Sequence, residues 1–278
     1  MTELPAKEIS TTQSCVSCGT PLAGKFCHVC GEKAFDAHDH SLRHFAEELL
    51  HTLTHFDSKF LKSLQHLFFK PGTLTNTYLA GRKKLFTKPL ALFVVSNVLF
   101  FLLQPLVNIN SFNSTLRMQT ALHGKWVNVL VEQEIAEREI SFEVYEKLYD
   151  AKSEQWAKSL IIVQIPLLAL LSSILYLKQR RFFFDHLIFA THFYSFMLWV
   201  NIAFTLGIYC YRKLGGQVYN LEVPLFMLTG IYFMVAAREV YRPSRTLAVI
   251  NGVLLTGCFA LTLVAYRVLL FFATYISL

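Results

Sequence analysis

The chain has 278 residues, 54% of them hydrophobic and 16% charged, with a formal net charge of +7 and a mean hydropathy of +0.40. So few charges cannot cover that much apolar surface in water, which excludes an ordinary soluble domain. The cations crowd beside the apolar segments, at Arg82-Lys83-Lys84, Lys178 to Arg181 and Arg238 to Arg245, a placement that serves membrane topology and anionic lipid and argues against a nucleic-acid groove.

Residues 1–13 are polar and lack the apolar core of a secretory signal peptide, so they read as a disordered tail. The first membrane helix is therefore expected to direct insertion. Residues 14–33 hold two CxxCG knuckles, Cys15 to Gly19 and Cys27 to Gly31. Each knuckle offers two thiolates from one side, and together they supply the four soft ligands of a tetrahedral zinc. Gly19 and Gly31 suit the positive φ that follows such turns. Pro21 and Gly24 suit the hairpin between the knuckles, and Phe26 is the apolar residue left for a miniature core. Iron in a rubredoxin-like site, or two redox-active pairs, are the alternatives. Four unpaired thiols also favour a reducing compartment. A closed four-thiolate site leaves no coordination position for water or substrate, so the expected role is structural, and His28 is not expected to ligate. Cys210 and Cys258, in apolar runs, read as buried small hydrophobes.

Residues 34–87 read as a cytosolic linker followed by amphipathic interfacial helices. Leu42, Phe45, Leu49, Leu53 and Phe56 form one helical face, and His44, Glu48, His51 and His55 form a stripe on the other. That stripe is a solvated polar face or, secondarily, a metal- or pH-responsive one. Asp57 is placed to cap a second helix with Phe60, Leu61, Leu64, Leu67 and Phe68 on its apolar side, ended by Pro71-Gly72. Two placements suit it: on the cytosolic leaflet, or against the cytosolic ends of the membrane helices.

A membrane-crossing helix needs about 20 apolar residues. Spans are expected at 89–109, 159–177, 186–210, 218–237 and 247–275, with an acidic, partly helical outer loop at 110–158. Lys178, Arg180 and Arg181 follow the second span, and Arg238, Arg242 and Arg245 follow the fourth. These and the 82–88 cluster put the N-terminal module in the cytosol and the end of the fifth span outside. The fold class is thus an all-α polytopic membrane protein of about five transmembrane helices with a small N-terminal four-cysteine zinc ribbon. In the third span Asp185, His192, Ser195 and Trp199 share one helix face, with His186 about 120° away. Ionisable residues at that depth face protein or water. With Asn97, Gln104, Gln164, Asn201 and Asn251 they make either an intramembrane polar site or a set of interhelical hydrogen bonds.

Several segments together carry a family resemblance. They are the paired CxxCG knuckles, Phe56-Asp57-Ser58-Lys59-Phe60-Leu61, Lys70-Pro71-Gly72, Tyr78 to Lys83, Asp185 to Phe196, and Tyr232 to Tyr241. In these segments the chain resembles a bacterial family of zinc-ribbon membrane proteins classed as a domain of unknown function. The resemblance implies an inner-membrane location and adds no activity. Three functional classes remain open. The first is a non-enzymatic scaffold, assembly factor or sensor whose ribbon docks a cytosolic protein. The second is a transporter or channel using the His192 face. The third is a lipid-modifying enzyme with His186 and His192 as ligands or bases. The sequence contains no HExxH, GxSxG or Walker loop, so the reading leans away from an enzyme. It leaves the oligomeric state open.

Overall fold

The computed structural model describes residues 14–15, 17–24, 26–31, 58–104, 114–216 and 222–278. The expected tail 1–13, the stripe of His44, Glu48, His51 and His55, and the Asp57 cap lie outside the described residues. Among the described residues the fold is helical outside the ribbon segment, which includes an isolated antiparallel bridge between Ser14 and Pro21.

Helix α1 (Ser58–Phe69) and helix α2 (Thr73–Leu79) form a tight pair. The turn between them needs Gly72, whose φ is +85°. A Cβ there would lie 2.8 Å from the Ala236 carbonyl oxygen and 2.8 Å from Glu239 Cβ, so glycine also permits the close approach of a later helix. Helix α3 (Pro89–Leu103) starts on a proline, which its first turn tolerates.

The segment expected as an outer loop is built of three helices, α4 (Leu116–His123), α5 (Lys125–Arg138) and α6 (Phe142–Leu160). The Thr115 hydroxyl accepts from the Met118 amide and the Ser141 hydroxyl from the Val144 amide, capping α4 and α6. Arg117 holds Glu146 through two hydrogen bonds of 2.6 and 3.0 Å, and this pairing pushes the guanidinium pKa further up. Helix α6 runs on through a 3₁₀ turn (Ile161–Val163) into α7 (Gln164–Leu175). Pro166 has no N–H to bond the Ile162 carbonyl, which interrupts the α-helical ladder at this point. The expected second span is therefore the apolar second half of one 34-residue helical run, Phe142–Leu175.

Helix α8 (Phe183–Lys213) is the centre of the bundle, and α9 (Glu222–Tyr241) and α10 (Arg245–Ser277) form a hairpin beside it. Phe193 stacks on Phe233 at 3.9 Å and Phe196 on Tyr232 at 3.7 Å. Such pairs contribute about 0.5–1.5 kcal/mol each beyond burial. Phe60 and Phe68 of α1 lie 6.2 Å from Trp199 and 5.5 Å from Phe196, so α1 packs along the central helix. The outer helices close on the last turns of α10, where Phe271 is buried with Tyr145, Tyr149 and Val131.

Among the described residues, three helical runs are long and apolar enough to cross a membrane: Phe142–Leu175, Phe183–Lys213 and Arg245–Ser277. The first expected span is a helix of only 15 residues, Pro89–Leu103, and residues 105–109 lie outside the described set. At 1.5 Å per residue it covers about 22 Å of a hydrocarbon core of about 30 Å. The fourth expected span is α9, displaced a few residues toward the C-terminus and carrying Arg238 and Glu239 in its last turns.

Candidate functional sites

The two knuckles bring Cys15, Cys18, Cys27 and Cys30 together, with all four sulfurs within 4.8 Å of one another. Cys15 Sγ lies 3.4 Å from Cys30 Sγ, and Cys18 Sγ lies 3.5 Å from Cys27 Sγ. A tetrahedron with metal–sulfur bonds of about 2.3 Å has edges of about 3.8 Å, so the donor set fits a single ion. Local backbone order explains the convergence. The Gly19 amide donates to the Cys15 carbonyl and the Gly31 amide to the Cys27 carbonyl, at 2.8 and 2.7 Å. Both glycines take the positive φ expected of them, +77° and +67°.

Two of the four thiols, Cys18 and Cys27, are shifted toward the thiolate form in which they would ligate. The Thr20 hydroxyl, 3.3 Å away, and the Thr20 backbone hold the Cys18 thiol down to about 6. The Cys30 backbone lowers that of Cys27. Phe26 is the exception to the expected miniature core. It is 58% exposed and lies under the Lys84 ammonium, 5.8 Å from its ring. The knuckles thus rest against the basic turn before α3 rather than around their own aromatic. His28 is exposed and outside the cluster.

The polar residues of α8 do not converge on one point. His192 is buried, and its Nδ1 is 2.9 Å from the Thr75 hydroxyl of α2. Its partner is therefore neither Asp185 nor another long helix. Asp185 faces the end of the bundle, with Arg181 at 3.8 Å. His186 is buried on a different side, its Nδ1 2.8 Å from the Tyr241 hydroxyl of α9, and Tyr176 stacks on Tyr241 at 3.9 Å. The Ser195 hydroxyl donates to the Thr191 carbonyl within its own helix.

Sequence reasoning missed a three-helix junction. The Tyr194 hydroxyl is 2.9 Å from that of Thr262 in α10 and donates at 3.3 Å to Gln164 Oε1 in α7. A tyrosine inside an aromatic run carries no local sign of such a role, and neither does Thr75 or Tyr241. Asn97 donates to the Lys158 carbonyl and Asn201 to its own helix at Met197. Chemically, these are links: each ties one helix to the next or back onto itself.

A family described as "Protein of unknown function (DUF3667)" matches residues 57–101. The matched segment covers α1, α2 and most of α3, the elements that carry Thr75 to the central helix. The cysteine knuckles and α8 lie outside it. No curated protein and no solved structure matches the chain.

Proposed function

We propose that the protein is a non-enzymatic integral membrane scaffold, an assembly factor or sensor, whose four-cysteine module holds one structural zinc and docks a cytosolic protein. The bilayer is crossed by α3, by the apolar part of the α6–α7 run, and by α8, α9 and α10. The cysteine module lies on the cytosolic side and the α4–α6 helices lie outside, in a bacterial inner membrane. The Lys/Arg bias around Lys178 to Arg181 and Arg238 to Arg245 supports this orientation.

One observation carries the scaffold reading. Three buried polar side chains of α8 are taken up in bonds to other helices, His192 with Thr75, His186 with Tyr241, and Tyr194 with Thr262 and Gln164, while Ser195 and Asn201 bond back onto α8 itself. A transport path or active site would gather such groups around a shared space, whereas these are spread around the helix as separate fastenings. Four thiolates around one metal complete its coordination, which suits a structural ion.

A double-mutant cycle tests the reading. Thr75→Val, His192→Phe and the double variant would be compared for thermal unfolding in mild detergent. Interhelical bonds in membranes average about 0.6 kcal/mol, with an upper end of about 1.7. A coupling in that range is expected. Additive effects, with an unaltered melting temperature for His192→Phe, would remove the support for a fastening at this position.

A further inference from the structure

The α9–α10 hairpin carries an apolar groove of about 580 Å³ lined by Phe226, Met227, Gly230, Ile231, Met234, Val253, Thr256, Gly257 and Ala260. Small residues on both helices open it, and methionines give its floor an adaptable shape. It lies on the outer side of the hairpin: Met227, Ile231 and Val253 are each more than half exposed.

The same two faces end in arginines. On α9, Met227, Ile231, Met234 and Arg238 follow the helical repeat, so Arg238 stands one turn beyond the groove, about 6 Å along the axis. On α10, Arg245, Val249, Val253, Thr256 and Ala260 follow it too, with Arg245 about 12 Å before Val253. Both arginines are exposed, and Arg242 sits in the turn that joins the helices. Apolar groove and cationic end thus lie in one line, at the end of the hairpin that the charge bias assigns to the cytosol.

We infer that this groove is a binding site for one anionic phospholipid, its acyl chain lying between α9 and α10 and its phosphate held by Arg238 and Arg245. The inference rests on the proposed membrane placement. The charge complementarity selects the occupant. A zwitterionic lipid such as phosphatidylcholine brings a quaternary ammonium with its phosphate, which offsets its attraction to the arginines, while a helix of a second copy has no use for two cations at one end.

Purified full-length protein, stripped of lipid in mild detergent, would be titrated with phosphatidylglycerol and with phosphatidylcholine, and bound lipid counted by native mass spectrometry. Wild-type protein is expected to hold one phosphatidylglycerol and to prefer it roughly 30-fold, the scale set by two juxtamembrane arginines. In Gly257→Leu the new side chain meets open space, since a Cβ at Gly257 has no neighbour within 4 Å. It therefore fills the groove without displacing backbone, and both lipids should bind at least about tenfold more weakly. Arg238→Gln with Arg245→Gln should keep lipid binding and lose the preference.

Phosphatidylglycerol binding to Gly257→Leu at wild-type strength would overturn the site, as would equal affinity of wild-type protein for the two lipids. A wild-type dimer that Gly257→Leu converts to monomer would assign the groove to a second copy instead. Alkaline carbonate extraction separates the two claims. A chain that stays in the membrane yet shows no lipid preference refutes only the lipid site. A chain that carbonate releases refutes the membrane placement, and the lipid site with it.

Discussion

At the cysteine cluster, four sulfurs within 4.8 Å form a donor set that could hold one metal ion once the thiols are deprotonated. Elemental analysis of the purified chain is expected to give one zinc per protein, and Cys15→Ser with Cys27→Ser should reduce that to background. Iron in place of zinc would correct the metal and keep the site; stoichiometric metal in the double variant would refute it. The cysteines were legible because their spacing is local and the chemistry tolerates few alternatives. Thr75 was not. Its bond to His192 spans 117 positions in the chain, and no periodicity marks the threonine among its polar neighbours. Removing the imidazole alone leaves a buried hydroxyl with its bond broken, a change that costs about 1–3 kcal/mol. His192→Phe should therefore be less stable than the double variant with Thr75→Val.

Among the elements, the α1–α2 pair takes one of the two placements its sequence allows. Its apolar spacing allowed a helix on the leaflet surface or one packed against other helices. The packed form wins through Phe60 against Trp199, Phe68 against Phe196, and Asn76, whose side-chain amide donates to the Glu239 carbonyl at 3.0 Å. Gly72 makes this docking possible, so Gly72→Ala is expected to loosen it through both its φ of +85° and the 2.8 Å contacts. The signature is faster amide hydrogen exchange confined to residues 58–81, with the central helix still protected. Unchanged exchange there would show that the docking does not depend on this approach. The α6–α7 run teaches a complementary lesson. Hydropathy marks its apolar half and only a partly helical loop before it, because the helical backbone continues unchanged where its side chains turn polar.

Over the whole molecule, the apolar runs and the Lys/Arg bias were readable from composition. The number of crossings was not, since α3 is short and α9 ends in charges. In the proposed topology the α4–α6 helices lie on the outer side of the inner membrane. In a background with Cys210→Ser and Cys258→Ser, a cysteine at exposed Glu137 should react with a membrane-impermeant maleimide added to intact spheroplasts. Reaction only after lysis would reverse the topology. The central claim of the proposed function is that His186, His192 and Tyr194 fasten helices and that no polar residue of α8 performs chemistry. Its most direct measurement is complementation of a deletion strain by Asp185→Asn, His186→Phe, His192→Phe and Ser195→Ala, each scored against its own membrane abundance. The account expects complementation to fall only as abundance falls. A variant present at wild-type abundance and melting temperature, yet unable to complement, would contradict it.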